Sequence, residues 1–237
     1  MPPKPPGNRR TPRQQRSLAM VDTLVDAGFL CVARHGIAHT TTRHIADLAG
    51  VSPGTLYQYF ADKDAVFDAM QSRLVDEVVA MLRALAPELV RLDVREGVRL
   101  MLLRFNGLLR ANDGRYLAFA MQSGQLDVTG HMPRIEQALL EVATQYALHN
   151  PRALLLRNAP VVLYVAINGG MFTLLRHLNQ PSPMISLEQV VDGIANMVAT
   201  YIDSEMVPSP SPETPPAKPA PSTGKRRGGA RGKQQRT

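Results

Sequence analysis

A chain of 237 residues, 44% of them hydrophobic, is long enough for one or two domains with a substantial core. Its net charge of +7 sits at the ends: residues 1–16 hold five basic side chains and no acid, and residues 206–237 hold seven and only Glu213, while 17–205 is mildly acidic at −4. One cysteine excludes an intrachain disulfide framework, and the Pro- and Arg-rich start lacks the apolar centre of a secretory signal, so a cytoplasmic location is expected.

Residues 1–14, with five prolines, read as a disordered basic arm. A first helix over about 15–35 follows from Leu18, Val21, Val25, Phe29 and Val32, which recur at three- and four-residue steps. Cys31 falls in this apolar stretch and reads as a small buried hydrophobe. Thr41 is a suitable N-cap for a short helix whose apolar face is Ile45, Leu48 and Ala49. Gly50 stands where the chain must leave that helix through a left-handed turn. Ser52 caps the next helix and Pro53 takes its first position, where a missing N–H costs little. Leu56 and Phe60 turn inward, leaving Thr55, Tyr57, Gln58 and Tyr59 around the rest of the surface. Two short helices joined by such a turn form a helix-turn-helix, whose second helix fits the DNA major groove. The plain alternative is an ordinary capped helical hairpin.

The stretch from Ala46 to Lys63, with Gly50-Val51-Ser52, Leu56-Tyr57, Tyr59-Phe60 and Lys63, resembles the DNA-binding domain of the tetracycline-repressor (TetR) family, in register over about residues 17–70. The resemblance implies an all-α protein: a three-helix head on a helical-bundle body that binds an effector and dimerises. It implies that Thr42 and Arg43 lie near phosphate and bases at the start of the second helix. Pro53, Gly54, Thr55, Gln58 and Tyr59 would belong to the recognition helix, Tyr57 would offer its hydroxyl to the DNA backbone, and Lys63 would hold a phosphate at the start of the fourth helix. His44 departs from the pattern, standing where relatives carry the acid of a capping box.

The head is expected over 15–62 and the body over 63–205. Helix four, about 63–86, carries Phe67, Met70, Leu74, Val78, Met81 and Leu85 on one stripe and stops before Pro87. Asp93 caps a helix over 94–111, and further helices are expected near 114–125 and 133–148. Arg152 to Leu178 reads as one long apolar helix bent at Pro160. Within it, Asn158 to Leu175 is uncharged and at the lower length limit for a membrane span, although a buried interface helix explains it better. The last helix, about 187–205, opens on a Ser186/Gln189 capping box and carries Val190, Ile194, Met197, Val198 and Tyr201 on its apolar face. Residues 206–237 read as a disordered Pro-rich, then basic, tail, and such ends attract phosphate without sequence preference.

The helices 160–178 and 187–203 are more apolar than one copy needs, so a homodimer through a four-helix bundle is expected, with Gly169-Gly170 at its seam. Candidate lining residues for a small-molecule effector are Met101, Phe105, Phe119, Gln122, Tyr146, Tyr164, Asn168 and Phe172, a stripe that ordinary core would also produce. The expected function is a DNA-binding transcriptional regulator, a repressor released from a palindromic operator by an apolar effector. A tail-driven nucleoid protein without ligand control is the alternative. A helical enzyme is disfavoured: no phosphate loop, dinucleotide fingerprint or nucleophile elbow is found, and His35 and His39 straddle Gly36, which spoils a shared metal-binding face. No cofactor or metal is expected.

Overall fold

Helical periodicity becomes nine α-helices in the computed structural model, which describes residues 12–122, 130–151, 153, 156, 158–180 and 184–206. They are α1 (Pro12–His35), α2 (Thr42–Ala49), α3 (Pro53–Tyr57), α4 (Lys63–Leu89), α5 (Val94–Arg110), α6 (Arg115–Gln122), α7 (Met132–His149), α8 (Ala159–Leu178) and α9 (Leu187–Met206). Among the described residues there is no strand, so the fold is all-α. Most of the expected basic arm and tail, and the end of the expected 114–125 helix, lie outside the described residues.

Five of the described helices, α2, α3, α4, α5 and α9, start where a side chain satisfies the free N–H groups of the first turn. The Asp93 carboxylate accepts from Glu96 N–H at 2.8 Å at α5, as expected. Ser186 and Gln189 form the reciprocal box at α9: Ser186 Oγ accepts from Gln189 N–H at 3.2 Å, and Gln189 Oε1 accepts from Ser186 N–H at 2.8 Å. Thr41 and Ser52 serve α2 and α3.

Two boundaries differ from the sequence expectation. Helix α4 does not stop before Pro87 but runs through it to Leu89. Proline removes one hydrogen bond, while the buried Leu85, Ala86 and Leu89 hold the final turn against the core, and Val90 N–H still reaches Ala86 O at 3.3 Å. The α4 stripe is correspondingly Phe67, Met70, Val75, Val78, Leu82, Leu85 and Leu89, with Leu74 and Met81 only half-buried. The expected Arg152–Leu178 helix begins instead at Ala159. Pro160 therefore sits in a first turn and bends nothing, while Pro151 and Ala153 belong to a separate tight turn.

The first core cluster joins the head to the body. Leu24, Val25, Phe29 and Val32 of α1 meet Ile45, Ala46, Leu56, Val66, Phe67 and Met70, and the same cluster takes in Leu109, Tyr116 and Phe119. Phe29 lies edge-on to Tyr116 and Phe119, at 4.8 and 5.3 Å between ring centres. Gly28 lets α1 and α4 close up, since a Cβ there would meet Met70 Sδ at 2.7 Å. A second cluster packs α4 on α7 (Val78, Leu82, Leu85, Ile135, Ala138, Val142), and a third packs α9 on α8 around Leu174, Val191 and Ile194. Polar pairs run along α4: Arg73 bridges Asp22 and Asp26 of α1, His131 meets Asp68, Arg134 meets Asp76, and Arg83 grips Glu141. Exposed pairs of this kind fix registration and add little stability.

In α9 the inward stripe is Val190, Val191, Ile194, Ala195, Val198 and Ala199, so the expected Met197 is half exposed. Gly170 faces Ile194, whose Cγ2 would stand 3.2 Å from an added Cβ, whereas Gly169 faces open space. Only the first of the two glycines expected at a seam between copies is thus free of its own chain. Of the described helices, α8 alone has the length and hydropathy to cross a membrane (mean hydropathy 1.4), and its last turn carries Arg176.

Candidate nucleic-acid interface

The α2–α3 corner is fixed by three local devices. Thr41 Oγ1 accepts from His44 N–H at 3.2 Å, although His44 offers no carboxylate in return. Its ring lies instead 5.3 Å from that of His35, at the end of α1. Gly50 has φ +70° and ψ +29°. Its N–H bonds Asp47 O at 3.2 Å, and Val51 N–H reaches back to Ala46 O at 3.0 Å. This pair of bonds is the Schellman motif, which satisfies the last carbonyls of α2 and turns the chain. Ser52 Oγ then accepts from Thr55 N–H at 3.1 Å and lies 2.9 Å from Thr55 Oγ1, with Pro53 at the first position of α3.

Burial orients the corner. Ile45, Ala46 and Leu56 are fully enclosed and Phe60 nearly so. With Leu56 pointing inward, Pro53, Gly54, Tyr57 and Gln58 are left exposed along one short outer stretch, and Thr55 is half-buried. Arg43 is exposed on α2. Regular helix ends at Tyr57, so Gln58 and Tyr59 fall in the closing turn and not on the recognition helix as expected. The turn is still tied down, by Tyr59 N–H to Leu56 O at 2.9 Å, and Tyr59 is half-buried against the head core. Lys63 opens α4 with its Nζ 6.0 Å from the centre of the Phe67 ring.

Two features escaped the sequence reading. Thr42 Oγ1 and the Tyr57 hydroxyl share a hydrogen bond of 3.0 Å across the corner, linking residues fifteen apart, and no short-range pattern signals such a bond. Asp62 caps α4, its Oδ1 accepting from Ala65 N–H at 2.8 Å, which an Asp directly before a periodic apolar run could have signalled.

The eight candidate effector residues are dispersed. Phe119 is fully buried against Phe29. Gln122 reaches the head: its Oε1 accepts from Ile37 N–H at 2.8 Å while its Nε2 donates to Ala118 O at 3.1 Å. Met101, Phe105 and Tyr146 are half-buried in the body, and burial together with the nearby Asp93 raises the Tyr146 pKa above its ordinary value. Tyr164 and Phe172 are exposed on α8, and Asn168 donates to Tyr164 O at 2.8 Å. A shallow apolar depression of about 310 Å³ lies between α8 and α9, lined by Val165, Ala166, Met197, Val198 and Tyr201, and includes none of the eight. Among the described residues no three His, Cys, Asp or Glu side chains gather around a point that could hold an ion.

Comparison with known proteins converges on this head. Residues 24–70 match the family described as bacterial regulatory proteins, tetR family. The chain is 26% identical over 126 residues to the nucleoid occlusion factor SlmA of Haemophilus influenzae, an alignment covering 51% of this chain and 58% of that protein, so it spans little more than half the length of this relative. In fold it resembles a TetR-family transcriptional regulator from Streptomyces coelicolor (TM-score 0.57, 17% identity, 78% of this chain and 99% of that one). It likewise resembles the fatty acid degradation regulator FadR from Bacillus halodurans (TM-score 0.55, 19% identity, 81% of this chain and 97% of that one). The caps, the glycine exit and the buried Leu56 fall inside the matched residues, so over residues 24–70 this helix-turn-helix head matches the tetR family of bacterial regulatory proteins.

Proposed function

We propose that this protein binds duplex DNA with sequence preference and regulates transcription, as a repressor that leaves a palindromic operator when a small apolar effector binds. The observation that carries the reading is the exposed set Pro53, Gly54, Tyr57 and Gln58, held rigidly over buried Ile45, Leu56 and Phe60 by two caps and a Schellman turn. A scaffold of this rigidity suits insertion into the major groove. Tyr57, Tyr59 and Lys63 supply groups that reach phosphate, Arg43 joins Gln58 in reaching base edges, and Thr42 steadies Tyr57.

The acting unit in this reading is a cytoplasmic homodimer. Val161, Tyr164, Val165 and Phe172 of α8 and Met197 of α9 are exposed apolar side chains on adjacent helices, and pairing them with a second copy would bury them in an isologous four-helix bundle. Two heads then read half-sites about 34–36 Å apart. An effector lodging beside the half-buried Met101, Phe105 and Tyr146 would favour a head spacing unsuited to the operator, and linkage requires DNA to weaken effector binding by the same factor. Selection of bound duplexes from random DNA by the full chain tests the reading. An enriched palindrome supports it, and recovery of an unenriched pool contradicts it.

A second reading, a nucleoid-binding protein without ligand control, is favoured by the similarity to a nucleoid occlusion factor and by the basic ends. Deleting residues 1–11 and 207–237 separates the two. The regulator keeps its preference for the selected duplex, whereas a tail-driven binder loses most of its affinity and its salt dependence.

A further inference from the structure

The outer surface of α3 is unusual in what it lacks. Pro53 is exposed and has only an apolar ring to offer. Gly54 is exposed and has no side chain. Its backbone is not left-handed, and an added Cβ would find Ser52 Oγ at 3.7 Å as its nearest neighbour, an ordinary contact. The fold therefore does not need glycine here, and a helix would be more stable with alanine. The Thr55 hydroxyl already shares a hydrogen bond with Ser52 at 2.9 Å, leaving its methyl as the other group on Cβ. Leu56 is fully buried. The three consecutive residues at the front of the reading surface, Pro53, Gly54 and Thr55, thus bring no uncommitted polar side chain to a base.

Resting on the DNA-binding reading above, we infer that the Gly54–Thr55 step reads thymine by close apolar contact with its C5-methyl group, and that Gly54 is bare to admit that approach. The thymine methyl is the one apolar group by which bases differ in the major groove, so a surface without hydrogen-bonding side chains can discriminate there only through it. Polar readout is left to Gln58 and Arg43, which flank the step and are exposed.

The test uses the full-length chain and the duplex it selects from random DNA. Each thymine is replaced in turn by deoxyuridine, which removes only the methyl group. One thymine in each half-site should then weaken binding by about fourfold, the worth of one buried methyl-sized group. Gly54→Ala should melt no lower than wild type, bind the thymine duplex roughly tenfold more weakly, and lose its sensitivity to deoxyuridine. Thr55→Val, which keeps the methyl, should retain the sensitivity to deoxyuridine, and Thr55→Ser should lose part of the thymine preference. The inference is overturned if no thymine replacement changes wild-type affinity, or if Gly54→Ala binds as tightly as wild type. A wild-type chain that selects no duplex at all defeats the DNA-binding reading instead, so the two failures are distinguishable.

Discussion

Gln122→Ala tests how the body holds the head. The Gln122 side chain spans from the end of α6 to the turn after α1, accepting from Ile37 N–H at 2.8 Å while its amide returns to Ala118 O. Ile37 is 5% exposed, so truncating the glutamine leaves a donor with no partner and little access to water. Leaving a buried N–H unsatisfied costs about 1–3 kcal/mol. In a unit of this size that lowers the melting temperature by roughly 2–4 °C for each kcal/mol. Gly36 makes the test sharper. It has φ +78°, and an added Cβ would lie 3.1 Å from Gln122 Oε1. Gly36→Ala therefore strains the backbone and pushes at the same amide, and the two substitutions should combine non-additively. Thermal unfolding reads the global cost, and hydrogen exchange at the Ile37 amide reads the local one. An unchanged melting temperature, with Ile37 exchanging as slowly in the variant as in wild type, would refute the reasoning.

Gly50→Ala should destabilise the head by about 1–2 kcal/mol in denaturant unfolding, because φ is +70° while the surrounding space is open, so the cost is backbone strain alone. Burial, with Glu77 nearby, raises the pKa of Tyr116 above 10.0. A raised folded-state pKa gives stability that is intact below the unfolded value and lost as pH climbs through the folded one, so stability should fall above about pH 10. Tyr116→Phe should flatten that alkaline decline in unfolding curves recorded across pH. Lys63→Ala should weaken selected and random duplexes alike, whereas Gln58→Ala should weaken the selected duplex by about 1–3 kcal/mol more than random DNA in parallel titrations.

Local chemistry made the head legible. Thr41, Gly50, Ser52 and Pro53 each act within a few residues of their own position, so their caps and turn could be read directly. The same holds for Asp93 and the Ser186/Gln189 box. Failures came where tertiary packing overrides a local rule. Pro87 signals a stop, yet burial of Leu85 and Leu89 carries α4 past it. Pro160 fits a bend as well as a first turn, and one sequence cannot say which. Periodicity marks Phe119, Gln122, Tyr164 and Phe172 as facing something without saying what. The structure sends Phe119 to α1, Gln122 to the Ile37 turn, and the other two to the surface of α8. The Thr42–Tyr57 bond joins two helices and leaves no trace in spacing.

The central claim is that the α2–α3 corner distinguishes one DNA sequence from another. Its most direct measurement is the ratio of affinities for the selected duplex and a scrambled one of equal length, followed as salt is raised. The account predicts a ratio on the order of 10³ or more that persists while both affinities fall. Equal affinities at every salt concentration would contradict it.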